Sequence, residues 1–170
     1  MNFVIILTQS LQISSTDARV AVTQFGLGAR LEIGFLNFTS LDGFVNAVDQ
    51  IQYMAGTTPT LLGLNFSLST MFQEENGMRR DFRKFPKTLV LMTDGQSNHG
   101  QRGGNVTAFR LARQQFRDRN IKVVGIGITQ NANENEILAL VERENYRPFN
   151  RFSELYDPGL PVTLGLCDGI

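Results

Sequence analysis

The chain has 170 residues, 42% of them hydrophobic, which suits a single domain around one core. Lys plus Arg number 16 and Asp plus Glu number 16, so the formal charge is zero, excluding the basic field that nucleic acid or an anionic membrane surface would require. No apolar run approaches the roughly 20 residues that span a bilayer, and the opening MNFVIILTQS has no positive leader and too short an apolar run for a secretion signal.

Residues 1–12 admit two readings. Phe3, Leu7 and Leu11 can form the inner stripe of a helix, or the β-branched run Val4-Ile5-Ile6 can form a strand. The helix is preferred, because Leu11 to Asp17 reads as a helix-to-strand link and the strand reading leaves no crossover helix before Asp17. Asp17 to Phe25 follows as a strand with Val20 and Val22 on one face. Gly26-Leu-Gly28 turns it, and Ala29 to Phe35 returns with Leu31, Ile33 and Phe35 alternating, which predicts a hairpin. Thr39 or Ser40 caps a helix over Leu41 to Met54, where Phe44, Val48 and Ile51 recur at helical spacing. After Gly56-Thr-Thr-Pro-Thr60 a second helix runs to about Phe72, with Leu61, Leu64 and Leu68 on one side.

Glu74 to Lys84 is a charged loop, and Pro86 admits the strand Thr88 to Thr93. The loop Gln101 to Asn105 leads into a helix over Val106 to Arg119, with Phe109, Ala112 and Phe116 inward. Ile121 to Ile128 is a nearly continuous apolar strand, the pattern of burial on both faces. A helix over Glu134 to Arg143, a weak strand from Tyr146 to Phe152 and a short closing helix over Asp157 to Leu166 complete the chain. Strands alternating with helices after one hairpin predict an α/β domain, doubly wound, with a mostly parallel sheet and one antiparallel edge strand.

The chemistry concentrates at two loops. The strand KTLVLMT stops at Asp94-Gly95, and Thr57, Thr58 and Thr60 lie just before a helix. In open α/β sheets ligands bind beyond the carboxyl ends of the strands, and a hydroxyl meeting a carboxylate there suits a hard cation such as Mg²⁺. Taken singly, each piece also reads as a helix cap or a turn. The other features carry less. Gly26-x-Gly28 and Gly125-Ile-Gly127 both fail the dinucleotide fingerprint. His99 has no nucleophile elbow to serve. Arg79, Arg80, Arg83 and Lys84 form a basic cluster beside Glu74 and Glu75, in a solvated loop. Cys167 is the only cysteine, so it is either an inert thiol or half of a bridge to a partner outside this chain. The triplets beginning at Asn37, Asn65 and Asn105 are glycosylation sequons, which lean towards an extracellular setting.

Asp17 to Phe25, Gly56-Thr-Thr-Pro-Thr60, Lys87 to Gly95 and Ile121 to Ile128, in that order, make the chain resemble a von Willebrand factor type A domain over essentially all 170 residues. The fold is shared with integrin inserted domains, matrilins and collagen VI. The resemblance implies a non-enzymatic extracellular adhesion module, part of a larger secreted parent, with no nucleic-acid partner and no membrane insertion. Its metal-ion-dependent adhesion site would bind Mg²⁺ or Mn²⁺ and leave one position open for an acidic residue of a matrix protein. Thr58 would be the threonine ligand and Asp94 the aspartate, with Gly56, Gln96 and Asn98 near the rim.

The family's first central strand ends in Asp-x-Ser-x-Ser, and no such motif occurs here; Thr8-Gln-Ser-Leu-Gln12 keeps only Ser10 at a suitable place. The expectation is therefore one domain over 1–170, incomplete at its N-terminus, with a gap beside the strand at Thr88 to Thr93. The resemblance also makes Cys167 the orphaned partner of a bridge to the missing segment. Thr58 and Asp94 alone offer two oxygens and one formal charge, too few to replace the water shell of Mg²⁺. A metal-independent interaction domain is the alternative, with a metal-dependent enzyme on a doubly wound sheet behind it.

Overall fold

A computed structural model describes residues 2–95, 97 and 106–157. The first segment is helix α1 (Asn2–Thr8), as the preferred reading expected, with Phe3 and Leu7 buried one turn apart. Strands β1 (Val22–Phe25) and β2 (Ala29–Ile33) form the antiparallel hairpin. Its first strand is shorter than the pattern suggested, because residues before Val22 are held by a lone bridge between Ile13 and Ala18.

Helix α2 (Leu41–Asp49) is capped by Ser40, whose hydroxyl accepts from the Gly43 amide at 3.3 Å. It ends at Asp49, short of the expected Met54. The Gln24 side chain supplies the reason: its amide donates to the Gln52 carbonyl at 2.9 Å and its oxygen accepts from the Met54 amide at 3.1 Å, holding this stretch beside the hairpin. Helix α3 (Thr60–Phe66) continues as one wide π turn over Ser67–Met71, which brings the run to Phe72 as predicted.

Strand β3 (Lys87–Thr93), helix α4 (Val106–Asp118), strand β4 (Ile121–Ile128), helix α5 (Glu134–Leu140) and strand β5 (Tyr146–Phe149) alternate as an α/β unit should. β4 lies between β3 and β5, parallel to both, in registers running from Lys87↔Ile121 to Thr93↔Gly127 and from Gly125↔Tyr146 to Ile128↔Phe149. α4 turns Phe109, Ala112 and Phe116 inward, and with Leu89, Leu91, Ile121, Val123 and Leu140 they build the main core. A fully buried aromatic of this kind stabilises by roughly 1.5–3 kcal/mol relative to an exposed one. α5 stops at Leu140 rather than Arg143, where a separate 3₁₀ turn, Arg143–Asn145, leads into β5. A further 3₁₀ turn, Phe152–Tyr156, occupies the end of the expected weak strand. The closing helix expected from Asp157 and Cys167 lie outside the described residues.

The strands do not make one sheet. β1 and β2 form one pair, β3, β4 and β5 form another sheet, and no ladder joins them among the described residues. β1 and β3 nevertheless run in the same direction. In the segments leading into them, Arg79 donates to the carbonyls of Asp17 at 2.6 Å and Ser15 at 2.7 Å, ahead of β1, and its guanidinium lies 4.0 Å from the ring centre of Phe85, just before β3. At their far ends the turn after β1 and the turn after β3 both meet the Gly56–Thr60 loop.

Candidate functional site

That meeting point is built by close backbone approach. The threonine loop is fastened to the hairpin turn, where the Leu27 amide donates to the Ala55 carbonyl at 3.1 Å. Gly56 sits there at φ +129°, and a side chain on it would begin 2.6 Å from the Leu27 nitrogen, so both its conformation and its surroundings require glycine. Beyond it the Thr58 carbonyl accepts from the Thr60 amide at 2.9 Å, and Pro59 leads into α3. Thr58 is thereby held, half-buried, with its hydroxyl beside the turn that follows β3: a Cβ on Gly95 would lie 3.1 Å from Thr58 Oγ1.

Asp94 is exposed at the carboxyl end of β3. Its turn is tightened by Thr93, whose hydroxyl donates to the Gly95 carbonyl at 3.3 Å and lies 3.4 Å from the Gly95 amide. The structure thus brings the threonine loop against the residue next to Asp94. Gln96, Asn98 and His99 lie outside the described residues. Ser10 lies in the exposed turn that follows α1, five to seven residues before Ser15 and Asp17, whose carbonyls Arg79 holds.

Two further residues steady the rim, and sequence reasoning passed over both. Thr129, just past β4, takes φ +67°, a left-handed conformation that is an outlier for a β-branched residue. Its amide donates to the Phe149 carbonyl at 2.7 Å, and its hydroxyl lies 3.5 Å from the Asp94 carbonyl oxygen. Strain of this kind, of order 1–3 kcal/mol, persists only where the surroundings over-determine it and clusters at functional sites. Glu136, on α5, is 4% exposed and accepts from the Ser97 amide at 3.0 Å, tying the chain beyond Asp94 to the helix. The Ser97 hydroxyl is buried beside it with no hydrogen-bond partner among the described residues. Nearby, burial and then the charge of Glu134 push the Tyr146 phenol above its usual range, so it holds its proton. A helical pattern announces Glu136 as an exposed helix residue, and nothing in the strand pattern announces a left-handed Thr129.

The donor set is small. No group of three or more His, Cys, Asp or Glu side chains that could hold a metal occurs among the described residues. Thr58 and Asp94 supply one hydroxyl and one carboxylate, whereas Mg²⁺ demands about six oxygens in octahedral array. These residues by themselves do not make a complete cation site.

Human vitrin is 34% identical over 97 residues, covering 57% of this chain and 13% of vitrin. Bovine cochlin is 26% identical over 169 residues, covering 98% of this chain and 28% of cochlin. The chain spans between 13% and 28% of the curated relatives it matches, collagen chains among them. Proximal thread matrix protein 1 from the mussel byssus superposes with a TM-score of 0.83 at 22% identity, over 97% of this chain and 41% of that one. Another structure of that mussel protein, with a zinc-occupied MIDAS motif, superposes at 0.79. The sequence model of the family matches residues 1–156, and the chain belongs to the von Willebrand factor type A domain family.

Proposed function

We propose that this chain is the partner-binding domain of a longer extracellular matrix protein, an adhesion module rather than an enzyme, and that its partners dock at the Thr58–Asp94 rim. The observation that carries the reading is the close approach of the Thr58 hydroxyl to Gly95, immediately after Asp94, where an added Cβ would lie 3.1 Å from Thr58 Oγ1. It sets an oxygen donor beside a carboxylate-bearing loop at the carboxyl ends of parallel strands, where α/β sheets take their ligands. The relatives support the setting, and the zinc-occupied motif of the mussel protein supports the metal class. In this proposal Thr58 and Asp94 are two ligands of a Mg²⁺ or Mn²⁺ site whose other oxygens come from outside the described residues. The partner would offer an acidic side chain.

The shortage of donors favours a second reading, in which the same rim binds matrix partners without metal. Calorimetric titration of the chain with Mg²⁺ and Mn²⁺ separates the two. The first reading expects binding heat that Asp94→Ala abolishes and Thr58→Ala weakens. Heat that survives both substitutions removes these residues from the site, and no heat at all leaves the metal-free reading.

A further inference from the structure

One concavity of the molecule is the cleft between β1 and β3, of about 650 Å³, which belongs to the arrangement of the two sheets. A smaller one, of about 300 Å³, adjoins it where β3 and β4 begin. Arg80, Lys87 and Arg119 line it, together with Phe72, Met78 and Phe82. Charge of one sign gathers here although the chain as a whole is neutral: residues 79–87 hold five cations and a single carboxylate, Asp81. Arg119 adds a sixth cation from the end of α4.

The three lining cations differ in how they are answered. Arg80 is ion-paired with Glu74. Neither Lys87 nor Arg119 is ion-paired with a carboxylate among the described residues. The Lys87 ammonium has the Arg80 carbonyl 3.4 Å away, and burial pulls its pKa below the usual lysine value, with Asp81 opposing. A cation partly stripped of water gains much from an anion brought to it.

Arg119 is aimed at the same opening by two departures from regular backbone. The π turn Ser67–Met71 presents the Leu68 carbonyl, which accepts from the Arg119 guanidinium at 2.6 Å and from the Gln73 side chain. Asn120 then takes φ +54°, a left-handed conformation that asparagine tolerates, and turns the chain from α4 into β4. Single π turns of this kind recur at functional sites. A guanidinium carries five N–H donors, so the bond to Leu68 fixes its position and leaves a fork for an oxyanion.

The apolar lining decides what kind of anion fits. Phe82 is 43% exposed at the opening, and Phe72 and Met78 lie deeper. A sulfated sugar would leave these surfaces unused, and a hydrocarbon alone would leave the cations unanswered. Ligand sites begin at about 300 Å³, so the space suits one or two side chains. We propose that this pocket binds an acidic peptide segment of a partner, its carboxylate shared by Lys87 and Arg119 and a neighbouring apolar side chain against Phe82 and Met78. The site goes beyond the adhesion reading and uses none of its residues. Lys87 opens β3 and Asp94 follows its last residue, so the two are parted by roughly 23 Å of strand.

The test titrates the 170-residue chain in EDTA, so that metal at the rim plays no part, and follows its backbone amides. The probe is a capped Gly-Glu-Phe-Gly peptide, raised to about 10 mM to reach a Kd near 1 mM. Capped Gly-Gln-Phe-Gly and Gly-Glu-Ala-Gly are the controls. The expected result is shifts at the amides of Lys87, Arg119 and Ile121, with affinity at least about tenfold lower for either control. Lys87→Gln, which removes a poorly solvated charge, is expected to weaken the probe as much as the glutamine control does. Phe82→Ala, at an exposed position where the fold is not at risk, is expected to weaken Gly-Glu-Phe-Gly and leave Gly-Glu-Ala-Gly unchanged. Absence of shifts, equal binding of the glutamine peptide, or binding that survives both substitutions overturns the inference. Loss of binding in Asp94→Ala also overturns it, by moving the peptide to the rim. A response to dextran sulfate alone overturns it as well, by making the pocket a polyanion site.

Discussion

β4 and β3 are neighbours of similar composition, yet they live in different surroundings. β4 is hydrogen-bonded on both sides and covered on both faces, so every residue from Ile121 to Ile128 except Lys122 is buried. β3 is paired on one side, and only Leu89, Leu91 and Thr93 are buried, while Val90 and Met92 on the other face are partly exposed beside the cleft. Val20 and Val22, across the cleft, share that condition. An apolar strand is not thereby a buried strand; what buries it is a neighbour on each edge and a helix on each face.

Stability should divide along the same line. Phe116→Ala, in the fully enclosed core between α4 and the sheet, is expected to cost about 3–5 kcal/mol in urea unfolding. Val90→Ala, beside the cleft, is expected to cost about 1 kcal/mol or less, because much of the surface it removes is already wet. Equal losses at the two positions would mean that the cleft is closed in solution, and the contrast between the strands would fail.

The contrast also shows what the residues alone could and could not reveal. α4 was legible to within a residue because Phe109, Ala112 and Phe116 repeat on one face of a helix, and the continuous apolar run of β4 announced two covered faces. The helical reading of Phe3 and Leu7 held for the same reason: period outweighed the β-branched character of Val4-Ile5-Ile6. The shortening of α2 was not legible, since it depends on the Gln24 side chain reaching across from β1 to Gln52 and Met54. At the rim, the Asp94 and Thr58 loops stood out as a carboxylate after a strand and hydroxyls before a helix. Their mutual approach at Gly95, and the anchoring of Ser97 by Glu136, are tertiary facts with no local signature.

Glu136 offers a way to sharpen the comparison at the far end of β3. Its carboxylate accepts from a buried amide that has no other acceptor among the described residues. Glu136→Ala leaves that amide unsatisfied, at about 1–3 kcal/mol. Glu136→Gln keeps an acceptor oxygen in place and is expected to recover most of the loss. If alanine and glutamine variants unfold at the same urea concentration, the hydrogen bond to Ser97 contributes nothing and the loop beyond Asp94 is held by other means.

The smallest effect belongs at the opposite end of the cleft, where Arg79 clasps the Ser15–Asp17 turn that leads into β1. The Ser14 hydroxyl donates to the Asp17 carboxylate at 2.5 Å and the Thr16 hydroxyl at 3.1 Å. Those two bonds, Ser14 first, hold its pKa below the ordinary carboxylate value of 3.8, with desolvation opposing them and Arg79 adding the smallest attraction. A carboxyl group whose pKa is depressed on folding stabilises the fold above its unfolded pKa and loses that contribution as the pH falls through the folded value. For Asp17 the loss therefore lies below about pH 3.8, and full exposure to solvent keeps it small. Asp17→Asn removes the titration while keeping an oxygen acceptor for Ser14 and Thr16. The expected outcome is that wild type and variant part company between neutral pH and pH 5 by a constant offset, which shrinks only below pH 3.8 as the wild-type carboxyl takes up its proton. An offset that shrinks already at pH 6 would assign the effect to a different group, and the polar clasp at the mouth of the cleft would no longer turn on Asp17.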